Sequence, residues 1–219
     1  MLQAISGSLL CLIALASLGG GLGSEQWAPP ASRPLPEAHH IEGVPLAASQ
    51  QDWCGPAALS AVLQYHGEEV GVEVIARDIH LPHYHGALSL DLLLWARKRG
   101  YQAWATSGSP DALKRALARD RPAICMMRRR GPLADRNHYV VVRGYDDTRG
   151  VWLLDAGAGG EETVAAATFD QDWADCRRWM LVVEGKLQGS SGDSRASEWL
   201  AALGAAVAGT HSLWMSDQP

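Results

Sequence analysis

Between residues 44 and 186 the spacing of apolar positions switches from a helical to an extended period. Leu59, Val62, Leu63 and His66 recur at i, i+3, i+4 and i+7, with Pro56 near the first helical position and Gly67 as the stop. This spacing predicts a helix beginning at or beside Cys54. "LSLDLLLWARKRG" (88–100) repeats the design, with basic residues in its last turn and Gly100 after it, and "SPDALKRALARD" (109–120) opens on Ser-Pro and buries Leu113, Ala116 and Leu117. The later stretches "PAICMM" (122–127), "HYVVVRGYD" (138–146), "VWLLDAG" (151–157) and "WMLVVEG" (179–185) are β-rich runs separated by turn residues. The second and third, joined by "DTRG", predict an antiparallel hairpin. The fold class expected is α+β, with N-terminal helices packed on an antiparallel sheet.

The flanks read differently. Residues 1–24 carry no charge, and residues 9–18 form an apolar run the length of a signal-peptide h-region, too short to span a bilayer. Export, periplasmic or secreted, is expected, although the run lacks a basic n-region. Cys11 belongs to this segment. Residues 25–43 are proline-rich without apolar periodicity and are expected as a linker. The folded domain is expected over 44–186. Residues 187–219 form a tail that begins with a Gly/Ser-rich break and contains an Ala-rich stretch at 195–208 with helical character. A partner for this tail is left open.

The 219 residues suffice for one good-sized core, and the net charge of −5 gives no electrostatic reason to expect nucleic acid or an anionic membrane as partner. The short basic run Arg128–Arg129–Arg130 reads as a solvated loop. The four cysteines have neither the density of a disulfide scaffold nor the paired spacing of a zinc site. Cys125 and Cys176 are expected as core residues, the alternative being a disulfide between them in an oxidising compartment. His80, His83 and His85 match no standard metal-ligand spacing and are expected to line a cleft. Trp53, Trp95, Trp104, Trp152 and Trp179 are expected in the core or cleft wall.

Cys54 is the residue these elements make interesting. A thiol at a helix N-terminus meets unpaired backbone N–H groups and the positive end of the helix dipole, which favour the thiolate and lower its pKa. A nucleophile also needs an imidazole, a group to orient it and donors for an oxyanion. His138 heads the first hairpin strand and Asp155 closes the second, so antiparallel pairing makes them neighbours. Gln50 or Gln51, shortly before Cys54, offers a side-chain amide to an oxyanion hole with the Cys54 N–H. Cys54, His138 and Asp155 are expected to share one cleft, with sulfur and imidazole within about 4 Å of each other.

"VPLAASQQDWCGPAALSAVL" followed by "HYVVVRGYDDTRGVWLLDAG" resembles the C39-like, papain-fold cysteine peptidases of the bacteriocin-processing or double-glycine type, and in particular their stand-alone members. The resemblance extends over about residues 44–186. It implies the papain-like fold, with Cys54 as nucleophile, His138 as general base and Asp155 as its orienting partner. It further implies hydrolysis of peptide bonds in a peptide or protein substrate through a thioester, with no metal or organic cofactor. The family's oxyanion glutamine usually stands where this chain has Ser49 or Ala48, so Gln50 takes that role only through a locally shortened loop. Its usual Asp-Pro is Asp155-Ala156 here. The alternatives are a papain-like acyltransferase and a catalytically silent peptide-binding module.

Overall fold

The computed structural model describes residues 34–46, 52–131 and 135–186. The expected signal segment and the tail from 187, with Gln50 and Gln51, lie outside the described residues.

The expected hairpin is the centre of the fold. Strands β6 (Arg136–Asp146) and β7 (Val151–Asp155) pair antiparallel with Val141 opposite Asp155 and Asp146 opposite Val151, joined by the turn 147–150. Five other strands complete a seven-stranded sheet. They are β1 (Ala38–His40), β4 (Tyr101–Ser107), β5 (Ala123–Arg129), β8 (Glu161–Ala165) and β9 (Trp179–Lys186), and the main strand order is β4-β9-β5-β6-β7-β8. A two-stranded ribbon, β2 (His80–Leu81) with β3 (Gly86–Ala87), flanks a single 3₁₀ turn at Pro82–Tyr84.

Strand β1 lies upstream of Val44, within the stretch expected as linker. It pairs with β6 through Ala38–Asp146, His39–Tyr145 and His40–Gly144, and Ile41 behind it is buried. A three-residue strand joined mainly by its backbone leaves no apolar periodicity to read. The close approach demands glycine at 144, since a Cβ there would lie 2.7 Å from the His39 carbonyl oxygen. The β6–β7 register shifts between Val142 and Gly144.

Helices α1 (Cys54–Tyr65) and α3 (Ser89–Lys98) follow the apolar spacing closely, and α4 (Pro110–Leu117) starts where Ser109 Oγ accepts the Ala112 N–H at 3.1 Å. Helices α2 (Val72–Ile79) and α5 (Ala166–Ala174) complete the set, and α5 stacks Phe169 on Trp152 at 5.1 Å between ring centres. In β7, Trp152 and Asp155 alternate onto opposite faces, so α5 covers the face away from α1. The sheet is thus packed on both sides. Leu59, Val62 and Leu63 of α1, Val140–Val142 of β6 and Leu181–Val183 of β9 are fully or almost fully buried in the core. Cys125 and Cys176 are free thiols buried in that interior, as core packing requires.

Candidate active site

Cys54 opens α1. Its N-cap, Trp53, supplies no side-chain acceptor, and the first turn holds no acidic residue. Pro56 has no N–H to satisfy, so the proline costs the first turn nothing. Gly55 lets the helix start seat itself on β6, because a Cβ at 55 would stand 3.2 Å from the Tyr139 ring and 3.4 Å from Ala87 Cβ. Tyr139 is fixed in turn by its hydroxyl, 2.8 Å from Ser89 Oγ and 3.2 Å from the Ala87 carbonyl oxygen, which accepts its proton. The β2–β3 ribbon meets α1 through Ala87, and His85 Nδ1 stands 3.1 Å from Asp52 Oδ2, but none of His80, His83 and His85 lines the hollow that holds Cys54.

The sulfur lies in a narrow cleft of about 10 Å³, lined by Ala57, Ala58, Tyr139, Val141, Asp155 and Gly157. Burial pushes the Cys54 thiol above its ordinary pKa. The N–H groups of Tyr139, Gly55 and Cys54 itself pull the other way and do not prevail, and the Asp52 charge adds to the rise. This corrects the expectation of a lowered pKa. Helix-end donors stabilise a thiolate, but desolvation outweighs them when the sulfur is enclosed.

His138 and Tyr139 are consecutive in β6, so their side chains leave the strand on opposite sides. Tyr139 passes under α1. His138 lines a separate concavity of about 520 Å³ with Arg129, Ala156, Ala158, Gly160, Glu161 and Glu162. The segment 155–158 runs between the two hollows, with Asp155 and Gly157 lining the sulfur's and Ala156 and Ala158 the imidazole's. In this conformation Cys54 and His138 open onto neighbouring hollows instead of the one cleft expected, and strand alternation is the reason.

Asp155 lines the sulfur's hollow, and its Oδ1 accepts the Gly157 N–H at 2.8 Å. Its charge acts on His138 by raising that imidazole's pKa, although burial is the larger effect and lowers it overall. The His138 ring donates from Nε2 to the carbonyl oxygen of Ala156 at 2.8 Å. A carbonyl only accepts, so the neutral ring carries its proton on Nε2 and keeps the Nδ1 lone pair for a proton. No signal in the sequence marks a main-chain carbonyl for this role. Tyr139 was within reach of sequence reasoning, as the residue alternating with His138. Arg129 and Glu162 form a two-pronged pair at 3.2 and 2.6 Å on the far wall of the imidazole's hollow. Among the described residues no group of His, Cys, Asp and Glu is arranged to hold a metal ion.

An early helix led by cysteine, set on a late antiparallel sheet, is the architecture of papain-like cysteine peptidases, and the solved structures similar to this chain share it. A C39-like protein from Bacillus anthracis matches at TM-score 0.55 and 15% identity, over 69% of this chain and 99% of that one. A double-glycine motif protease from an AMS/PCAT transporter, solved with a leader peptide, matches at 0.53 and 22%, over 68% and 95%. Xylellain, a cysteine protease from Xylella fastidiosa, matches at 0.55 and 13%, over 74% and 91%. No curated protein matches the chain. The model of the Peptidase_C39 like family matches residues 40–179, and the chain belongs to that family.

Proposed function

We propose that this protein is an exported cysteine peptidase that cleaves peptide bonds through a thioester on Cys54. One observation carries the reading: Cys54, Tyr139 and Asp155 line one narrow cleft, and His138 directly precedes Tyr139 in β6. The imidazole hangs from the neighbouring Cα, and cleavage requires a shift at this strand end that carries Nδ1 from its own hollow to the sulfur.

In the reaction, Nδ1 of His138 takes the Cys54 proton as sulfur attacks the scissile carbonyl. The oxyanion is held by the Cys54 N–H and the Gln50 side-chain amide. The imidazolium then protonates the leaving amine as the C–N bond breaks. Water, deprotonated at the same Nδ1, hydrolyses the thioester and restores the thiol. Asp155 holds the imidazolium electrostatically. The substrate is a peptide or protein, in keeping with the leader peptide bound to one structural neighbour.

Mass spectrometry of the protein mixed with a peptide library tests this. Products that vanish in Cys54→Ala and in His138→Ala support it. Amide products formed only with added amines would instead identify an acyltransferase. The enclosed, protonated Cys54 thiol favours a second reading, a peptide-binding module that does not cut. Peptide binding without products, unchanged in Cys54→Ala, would establish it.

A further inference from the structure

We propose that residues 198–208 of the C-terminal tail dock in cis along the exposed leucine face of α3. This docking goes beyond the peptidase reading and does not depend on it.

Helix α3 is apolar nearly all round. Leu92, Trp95 and Ala96 face the core, yet Leu90 and Leu94, one turn apart, are 59% and 51% exposed, and Leu88 just ahead of them is 49% exposed. A surface helix ordinarily turns polar residues outward, and a run of exposed leucines marks a face that is covered by something.

The end of the described chain points to what covers it. Lys186, the last residue of β9, pairs with Tyr101, which follows α3 directly after the Gly100 turn. Its Nζ lies 2.5 Å from Glu68 Oε2, while Glu68 Oε1 lies 3.1 Å from Nη1 of Arg99, the C-cap of α3. The tail therefore departs beside the C-terminal end of α3. A Gly/Ser-rich stretch of the length of 187–197 has a reach of about 18 Å, and α3, at ten residues, is about 15 Å long.

Beyond that stretch, Trp199, Leu200, Leu203 and Val207 recur at helical spacing, forming an apolar stripe that matches α3 in length. Laid antiparallel to α3, the stripe sets Glu198 beside the basic last turn of Arg97 and Lys98 and runs toward Leu88. At that end Ser89 Oγ meets the Tyr139 hydroxyl, so a docked tail finishes next to the wall of the Cys54 cleft.

Amide hydrogen exchange on the full chain reads the docking without any need for activity. Residues 198–208 are expected to exchange at least tenfold more slowly than an unstructured chain. That protection disappears in Leu90→Glu/Leu94→Glu while β5 and β6 stay protected. It disappears equally in Leu203→Glu/Val207→Glu, a variant that leaves the folded domain untouched. Free-chain exchange in the parent, or protection surviving both double variants, overturns the proposal. So does protection that rises with protein concentration together with a dimer mass, which would make the occupant a second copy.

Discussion

His138 Nε2 and the carbonyl oxygen of Ala156 lie 2.8 Å apart, so a main-chain acceptor fixes the tautomer of the imidazole. The side chain of Asp155, one residue earlier, closes a turn onto Gly157. The carboxylate thus has two separable uses, a hydrogen-bond acceptor for the turn and a charge felt by the ring.

Asp155→Asn keeps an oxygen for the Gly157 N–H and removes the charge, whereas Asp155→Ala removes both. Peptide cleavage is expected to fall at least tenfold in both variants. Thermal unfolding should move little in Asp155→Asn and drop by an amount equivalent to about 1 kcal/mol in Asp155→Ala. Equal thermal losses would reduce Asp155 to a structural role.

Burial lowers the His138 pKa below its ordinary 6.5 and raises the Cys54 thiol above its ordinary value. At pH 7 the resting state is therefore a neutral thiol and a neutral imidazole. Iodoacetamide should alkylate Cys54 more slowly than free cysteine at pH 7, with the rate still climbing above pH 9. The acid limb of kcat/KM reports the free enzyme's base and should have its midpoint below pH 6.5. Rapid alkylation at pH 6 would instead reveal a preformed ion pair.

Gly144→Ala drives a Cβ into the backbone of β1 at 2.7 Å. Strand β1 cannot yield without giving up its pairing, so a loss of about 1–3 kcal/mol in urea unfolding is expected. Gly55→Ala meets the edge of the Tyr139 ring at 3.2 Å. It should cost less stability but displace the start of α1, lowering cleavage more than it lowers the melting temperature.

The Lys186 ammonium, with Tyr101 and Arg99, holds the Glu68 carboxyl below its ordinary 4.5. A folded pKa below the unfolded one contributes stability that is present above pH 4.5 and is lost as pH falls through the lower folded value. Glu68→Gln should therefore flatten the acid limb of stability below pH 4.5, measured as melting temperature against pH. An unchanged limb would mean the cluster holds nothing together.

Helix α1 and the β6–β7 hairpin were legible because their periods are clean and Gly67 and the "DTRG" turn punctuate them. Strand β4 carried a weaker version of the same evidence, since its buried Tyr101 and Ala103 alternate but alanine contrasts little with its neighbours. Helix α5 was marked only by Phe169 and Trp173, four apart and both buried. Strand β1 had no mark at all, because its pairing uses backbone groups that every residue possesses. Within the site, the hairpin separation set His138 and Asp155 at the same end of adjacent strands, although Asp155 pairs with Val141 and not with His138. Sequence separations could not show which way a side chain turns at a strand end, nor how tightly a thiol is enclosed, since both depend on packing between distant segments.

The stitching of β1 into the sheet limits how the chain can be trimmed. The Tyr145 hydroxyl donates to the Pro36 carbonyl oxygen at 2.9 Å, and the Asp147 N–H donates to the Glu37 carbonyl oxygen at 2.8 Å. A cut just before Pro36 keeps both of these bonds. A cut a few residues later strips the seam and bares raw backbone along β6, inviting the strands of other molecules to fill it.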